Sequence, residues 1–135
     1  MQEERTLRSE DDTIIFAKEL ASQLKKGDVL ALYGELGTGK TFFTQQLCKF
    51  MGVTENVSSP SYVLMNEYMG TFIIHHLDLY RLDAAEELLE LGLYDLYKEA
   101  ITIIEWPEIA DGMLPEKTIH IYFEFIDQIR KVTIK

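Results

Sequence analysis

The stretch that decides the fold is Val29-Leu30-Ala31-Leu32-Tyr33-Gly34-Glu35-Leu36-Gly37-Thr38-Gly39-Lys40-Thr41. Its first five residues form a continuous apolar run, which is typical of a strand covered on both faces. A glycine-rich segment follows without a break, and apolar residues then recur at helical spacing at Phe43, Leu47, Phe50 and Met51. A buried strand, a glycine loop and a helix in this order predict an α/β domain.

The segment Gly34 to Thr41 matches Gly-x4-Gly-Lys-Thr, the pattern of a phosphate-binding loop, or P-loop. Its glycines let successive N–H groups point at an anion, and the helix that follows adds its positive dipole end. Lys40 is expected to reach the β- and γ-phosphates, and the Thr41 hydroxyl to bind Mg²⁺, which prefers oxygen ligands. A plain glycine turn is the alternative, but the match lies between a strand and a helix, as the motif requires. The residues expected to contact a nucleoside triphosphate here are Glu35, Leu36, Gly37, Thr38, Gly39, Lys40 and Thr41, with Thr44 further along the helix.

The rest of the chain alternates helix and strand patterns. Before the loop, Glu4 to Arg8 reads as an edge strand and Ser9 as the cap of a helix that runs to about Lys26. The apolar stripe predicted for this helix is Ile14, Ala17, Leu20, Ala21 and Leu24. After the loop, the expected elements are a hairpin of 62–68 and 72–78, helices at 84–91 and 93–99, a buried strand at 101–104 and a strand pair at 118–125 and 129–134. We predict one P-loop NTPase-like domain over residues 1–135, an α/β fold with a mixed parallel and antiparallel sheet flanked by helices.

Composition limits the class of partner. The chain has 135 residues and a formal net charge of −10, which opposes non-specific binding to a nucleic acid backbone, because such binding depends on lysine and arginine. Any link to nucleic acid is therefore expected to be indirect. The single cysteine, Cys48, cannot form an internal disulfide, and no apolar run approaches the roughly 18 residues that a membrane span needs. We expect a cytoplasmic protein with a buried thiol.

Two acids are candidates for holding metal and water. Glu105 ends the apolar run Ile101 to Ile104, which is the general form of a Walker B element, and strand alternation puts Asp78 on the same face as His76. Because strand ends on the P-loop side of a sheet face the ligand crevice, both acids are expected to converge there. We favour Glu105 as the metal-associated acid and Asp78 as a residue that positions water or metal. The alternative for each is a solvated acid just beyond a strand.

Three side chains near these acids have other interpretations. His75 and His76 are adjacent on a strand, so they point to opposite faces and cannot form one chelating pair. A structural role is favoured for both histidines. Trp106 either covers the site or fills an apolar gap.

Four segments in this order resemble the TsaE family, formerly called YjeE. They are Gly34 to Thr41, Ser59-Pro60-Ser61-Tyr62, His76-Leu77-Asp78-Leu79-Tyr80-Arg81-Leu82 and Glu105-Trp106-Pro107-Glu108. The resemblance implies a bacterial P-loop ATPase needed for N6-threonylcarbamoyladenosine (t6A) at position 37 of tRNAs that read ANN codons. It also implies ATP and Mg²⁺ as cofactors and the TsaD and TsaB proteins as partners. Those partners perform the transfer, so the chain is expected to reach tRNA only through the complex.

The resemblance also assigns roles to single residues. It implies Lys40 as a phosphate ligand, Thr41 and Glu105 as metal ligands and Asp78 as important for hydrolysis. Thr13 matches a family position near the nucleotide, with helix capping or plain surface as the alternative. Ser59-Pro60-Ser61 is similar to a switch-like Ser-Pro-Thr, which makes Ser61 a candidate sensor of γ-phosphate or Mg²⁺. The remaining nucleotide contacts are Trp106 and, on a loose match of the C-terminal basic segment, Arg130.

Several function classes fit a P-loop. The main hypothesis is an ATPase of slow intrinsic rate, activated by a complex that orders residues 59–61 and 105–106 around the γ-phosphate. A GTP-driven switch would carry an Asn-Lys-x-Asp guanine motif after the P-loop, and this sequence has none. A small kinase would need a second substrate pocket and usually a mobile lid, and the short chain offers little for either. A regulatory module that holds nucleotide without turnover is the fourth class.

Overall fold

The computed structural model describes residues 2–35, 37–60 and 64–135. The strands are β1 (Glu3–Leu7), β2 (Val29–Tyr33), β3 (Met65–Met69), β4 (Ile73–Asp78), β5 (Ile101–Glu105), β6 (Ile119–Ile126) and β7 (Ile129–Ile134). The helices are α1 (Glu10–Ala21), α2 (Lys40–Phe50), α3 (Glu86–Leu91) and α4 (Leu93–Glu99), and a 3₁₀ turn spans Pro107–Ala110. In the described residues, the strands form one seven-stranded sheet in the order β1-β7-β6-β2-β5-β4-β3.

The centre of the sheet is parallel and its edges are antiparallel. Strand β2 pairs in parallel with β5 and β6, and β4 pairs in parallel with β5. Strands β1, β7 and β3 are added in antiparallel pairs. The parallel strands therefore end along one edge, where Asp78 is the register partner of Glu105. This arrangement confirms the predicted α/β fold with a mixed sheet.

Two hydrophobic clusters lie on opposite faces of the sheet. One includes Leu30 of β2 together with Phe16 of α1 and Phe43 of α2, whose rings stack with centroids 5.2 Å apart. The other includes Val29 of β2 together with Leu88 of α3 and residues of α4. Because neighbouring residues of a strand point to opposite faces, the continuous apolar run of β2 supplies both clusters.

Helix α1 ends at Ala21, so the predicted end near Lys26 is wrong. Leu24 N donates to Ala21 O in a tighter turn, and Lys25 N donates to Asp28 Oδ2 at 2.9 Å, which closes the connection to β2. Most of the predicted stripe is confirmed, because Ala17, Leu20 and Leu24 are buried and Ala21 packs against the same core cluster, but Ile14 is only half-buried and the buried Phe16 and Thr13 were not predicted. Phe16 is buried because its ring stacks on Phe43 of α2, a contact between helices that local periodicity does not show.

The remaining elements agree with the sequence except at their ends. The hairpin of β3 and β4 and the final pair of β6 and β7 are confirmed, with β3 described from Met65 onward. The turn of the final pair contains Asp127 and Gln128 at φ 50° and 64°, a conformation that suits a two-residue hairpin turn. Cys48 is fully buried, as expected. No described helix is both long and apolar enough to cross a bilayer.

Candidate functional site

A pocket of about 770 Å³ opens where the parallel strands end. Its walls come from regions far apart in the sequence: the glycine loop and the start of α2, the loop around Ser59, the ends of β4 and β5, and Arg130 on β7. The residues predicted for the site that line it are Gly37, Gly39, Lys40, Thr41, Asp78, Glu105, Trp106 and Arg130. The fold thus brings both predicted acids to the P-loop, as the sequence indicated.

The glycine loop passes close to other backbone and side chains. Gly34 has φ 143°, and a Cβ there would lie 2.7 Å from the carbonyl oxygen of Phe123. Gly39 has φ 104°, and a Cβ there would lie 2.8 Å from Arg130 Nε. At Gly34 a larger residue would meet both a strained backbone conformation and a backbone clash; at Gly39 the positive φ favours glycine, and the arginine side chain would also have to shift.

Lys40 is the first residue of α2 and is almost fully buried, with 4% of its surface exposed. Its ammonium donates to Gly34 O and lies 4.0 Å from the centroid of the Trp106 ring. Burial lowers the pKa of Lys40, while the nearby charges of Glu105 and Asp78 oppose that shift. A desolvated cation therefore lies at the helix N-terminus, where the dipole is also positive, and both features favour an anion.

Glu105 is held by two hydrogen bonds at the end of β5. Its Oε2 accepts from His76 Nε2 at 2.6 Å and from Ser59 Oγ at 3.3 Å. Because a carboxylate only accepts, the Nε2 atom of His76 carries the proton of that bond. Glu105 is 3% exposed and His76 is fully buried, so the bond is shielded from water. His76 thus fixes the orientation of the predicted metal-associated acid.

This contact gives His76 a more specific role than the sequence assigned to it. The two histidines do point to opposite faces, as expected, because His75 Nε2 bonds Glu67 Oε2 at 2.9 Å on the other side of the sheet. The signal for His76 was its alternation with Asp78 on one face, next to a strand that ends in Glu105. The contact itself could be identified only from the pairing of β4 with β5.

Side-chain oxygens from α2, from the loop before β3 and from the end of β5 lie close together beside the P-loop. Thr41 Oγ1 lies 3.3 Å from Ser59 Oγ, which in turn donates to the Glu105 carboxylate. In the described residues, no cluster of three or more His, Cys, Asp or Glu side chains could hold a metal ion by itself. Hydroxyl and carboxylate oxygens nevertheless fit Mg²⁺, which usually takes one or two protein ligands and completes its shell with water and phosphate oxygens. The donor set therefore fits Mg²⁺ delivered with a polyphosphate.

Asp78 lies beside Glu105 at the end of β4. Its Oδ1 accepts a hydrogen bond from Tyr80 N at 3.0 Å. Burial raises the pKa of Asp78; the bond from Tyr80 opposes that shift, and the charge of Glu105 adds to it. Two carboxylates thus share this edge of the sheet with the ammonium of Lys40.

Replacing Asp78 by asparagine is expected to stabilise the free chain at pH 7. Because its folded-state pKa is raised above the ordinary value of 3.8, the folded chain binds the proton more tightly, and stability falls as the pH rises above that value. The asparagine side chain cannot ionise, but its amide oxygen can still accept from Tyr80 N. Melting temperatures measured from pH 4 to 8 should therefore show a gain for Asp78→Asn at pH 7 that shrinks toward pH 4. The exposed Asp83→Asn is the control, and a variant less stable than wild type at pH 7 would contradict the prediction.

Trp106 lies at the wall of the pocket with φ 55°, in the left-handed region that non-glycine residues seldom adopt. It precedes Pro107, which disfavours the right-handed helical conformation before it. Its ring packs against Lys40 on one side and against Tyr80, with ring centroids 4.8 Å apart. Of the two interpretations of Trp106, covering the site is the one that this geometry supports.

The other predicted nucleotide contacts have different positions. Arg130 Nε donates to Thr38 O at 3.1 Å, so this arginine holds the P-loop from β7. Thr44 is buried with its hydroxyl on Lys40 O, and Thr13 is buried on α1, where Ser9 is the cap. Glu35, Thr38, Thr13 and Thr44 are not part of the pocket wall, and their contact with nucleotide stays a prediction. Leu36 and Ser61 lie outside the described residues.

Comparison with known proteins identifies the family. The family model described as "Threonylcarbamoyl adenosine biosynthesis protein TsaE" matches residues 7–132. The chain belongs to the TsaE family. The resemblance noted in its four sequence segments is thereby confirmed.

Relatives in the TsaE family come from distant bacteria. A protein of Rickettsia bellii named "tRNA threonylcarbamoyladenosine biosynthesis protein TsaE" is 39% identical over 93% of this chain and 89% of its own length. The protein of the same name in Bacillus subtilis is 34% identical over 96% of this chain and 82% of its own. The crystal structure of Bacillus subtilis YdiB superposes with a TM-score of 0.81 and 28% identity, covering 99% of this chain and 84% of that one. The TsaE fold is therefore shared over nearly the whole chain.

Proposed function

We propose that this TsaE family member is an Mg²⁺-dependent ATPase that supports t6A synthesis on tRNA together with TsaD and TsaB. One observation carries the proposal: the ammonium of Lys40, the hydroxyl of Thr41 and the carboxylate of Glu105 line one pocket at the N-terminus of α2. A cation that binds phosphate, a hydroxyl that binds Mg²⁺ and an acid that holds the metal or its water are groups that a P-loop NTPase uses.

The phosphates of ATP would give the buried ammonium of Lys40 an anionic partner. Lys40 is desolvated and bonded to the carbonyl of its own loop. Charge-assisted bonds to a polyphosphate are stronger than a bond to a neutral carbonyl, so a phosphate would replace Gly34 O as the partner of Lys40. The N–H groups of the first turn of α2, which a helix leaves without acceptors of its own, would add further bonds to the same anion.

Mg²⁺, when bound, would neutralise phosphate charge and polarise the bond that breaks. The residues that would hold it are Thr41 and Glu105, through direct contact or through water. Asp78 lies next to Glu105 and is the group that would orient the attacking water. His76 keeps the Glu105 carboxylate turned into the pocket by its buried bond.

The link to tRNA rests on the relatives and on charge. Curated relatives at 33–39% identity carry the name of a tRNA threonylcarbamoyladenosine biosynthesis protein. A net charge of −10 disfavours direct binding to tRNA, so a protein complex such as TsaD with TsaB is the proposed route. The buried free thiol of Cys48 fits the reducing environment of the cytoplasm, where we propose that the chain acts.

Measuring ADP release from ATP tests this proposal. The chain alone is expected to turn over slowly, and a mixture with TsaB and TsaD to turn over at least about tenfold faster, because ordering of catalytic groups is a common activating step. The Lys40→Ala chain is the control for contaminating ATPases. A complex that neither binds the chain nor changes its turnover would overturn the partner proposal.

A nucleotide-holding regulator is the second candidate function. It is favoured by the contacts within the site, where Lys40 bonds its own loop and Ser59 lies between Thr41 and Glu105. Such a site could bind nucleotide and respond to it without cleaving it. Tight binding of ATP with no ADP release, with or without the partners, would support the regulator over the ATPase.

A further inference from the structure

The backbone N–H and C=O of one residue ahead of the pocket, Ser58, both bond to the hydroxyl of one tyrosine. Tyr68 Oη donates to Ser58 O at 3.0 Å, and Ser58 N donates to Tyr68 Oη at 3.3 Å. Tyr68 belongs to β3 and is 4% exposed, so its hydroxyl is fixed by the packing of its ring in the core. The backbone of Ser58 is therefore tied to the sheet through a rigid side chain.

Two amide side chains add to this attachment. Asn66 Nδ2 donates to Ser58 O and to Tyr68 Oη, each at 3.3 Å. Gln45 of α2 donates through Nε2 to Val57 O at 3.0 Å. Residues 57 and 58 are thus bonded both to the edge of the sheet and to the helix that follows the P-loop.

Ser59, the next residue, carries the hydroxyl that reaches the site. Its Oγ donates to Glu105 Oε2 and lies 3.3 Å from Thr41 Oγ1. Pro60 follows Ser59 and disfavours the right-handed helical conformation for it. The bonds to Ser58 O hold the peptide that leads into Ser59, and so they hold the backbone from which its side chain reaches Glu105 and Thr41.

We infer that Tyr68 and Asn66 are positioning residues that set the Ser59 hydroxyl against Glu105 and Thr41 and thereby support turnover. We call these two residues the Ser58 anchor. Neither belongs to the pocket wall, so the Ser58 anchor acts through Ser59 and not by touching nucleotide. The effect on turnover rests on the proposed ATPase function, whereas the effect on the loop does not.

Tyr68→Phe tests the inference, because it removes one hydroxyl and keeps the ring in the core. The matched control is Tyr97→Phe, since Tyr97 is also buried and its hydroxyl has no hydrogen-bond partner in the described part of the chain. With TsaB and TsaD present, Tyr68→Phe is expected to lower kcat about tenfold, with KM for ATP and the Kd for ADP changed by less than about twofold. Tyr97→Phe should leave kcat unchanged, and Asn66→Ala, at a half-buried position, should reproduce the selective loss of kcat.

Hydrogen exchange supplies a readout that does not need turnover. The amide of Ser58 is expected to exchange at least about tenfold faster in Tyr68→Phe, because its acceptor is lost, but not in Tyr97→Phe. Equal exchange rates in wild type and Tyr68→Phe would overturn the inference. A loss of ADP affinity and a lower melting temperature together with the loss of kcat would also overturn it, because that pattern indicates general destabilisation. If the wild-type chain shows no turnover with its partners, the ATPase proposal fails, and exchange at Ser58 still decides whether the Ser58 anchor exists.

Discussion

Glu105→Gln is expected to lower turnover about 100- to 1,000-fold while ADP binding stays within about threefold of wild type. Removing one preorganised electrostatic group from a catalytic site typically has an effect of this size. Glutamine keeps the shape of the side chain and an oxygen that can accept from His76 Nε2, so the buried bond at 2.6 Å in the wild type has a replacement. The loss should therefore come from the missing charge. Steady-state ADP release with TsaB and TsaD and calorimetric titration with ADP measure the two effects separately.

The choice of glutamine matters because Glu105 also supports the fold. Glu105→Ala would leave the Nε2–H of buried His76 without its acceptor, at a cost of about 1–3 kcal/mol in free energy of unfolding. We expect the alanine variant to lose hydrolysis and metal affinity more than stability, but to melt lower than the glutamine variant. Glu90→Gln on the exposed side of α3 makes the same chemical change away from the pocket. Normal turnover in Glu105→Gln would remove Glu105 from the proposed mechanism.

Lys40→Ala is expected to weaken binding of ATP with Mg²⁺ by about 100-fold or more. Bonds to a charged group contribute about 1.5–3 kcal/mol each, and about 1.4 kcal/mol corresponds to a factor of ten in affinity. The loss of the ammonium also removes the cation whose charge acts directly on Asp78 and Glu105 in this pocket. Calorimetric titration with a slowly hydrolysed ATP analogue measures the affinity.

The control for Lys40→Ala is Lys49→Ala, which removes an exposed lysine from the last turn of the same helix. It should leave the affinity for nucleotide unchanged. A melting temperature close to that of wild type would show that Lys40→Ala still folds. If Lys40→Ala binds ATP as tightly as Lys49→Ala, the P-loop is not the phosphate site.

Elements formed by neighbouring residues could be predicted closely. Strand β2 covers Val29–Tyr33 and β7 covers Ile129–Ile134, as the apolar pattern indicated, and the glycine loop lies between β2 and α2. Element ends were less predictable. Helix α1 stops at Ala21 because a tight turn and an Asp28 side chain take over the backbone bonds, and those contacts depend on how the next strand enters the sheet.

The contacts that give the pocket its chemistry join residues far apart in the chain. His76 and Glu105 are 29 positions apart, Ser59 and Glu105 are 46 apart, and Thr38 and Arg130 are 92 apart. The pairing of strands or packing on the sheet brings the two residues of each pair together. For this reason the sequence indicated that Glu105 and Asp78 converge, but it did not identify His76 as the residue that holds Glu105 or Tyr68 as the residue that holds Ser58.

The sequence by itself determined the P-loop, because a strand, a glycine loop and the first turn of a helix are contiguous and follow from local backbone preferences. It also determined the family, through four short segments with the right residues in the right order. Only the tertiary structure decided which side chains meet at the loop. The register of β4 against β5 brings His76 and Asp78 beside Glu105, and a shift of that register by one residue would turn these side chains to the opposite face of the sheet.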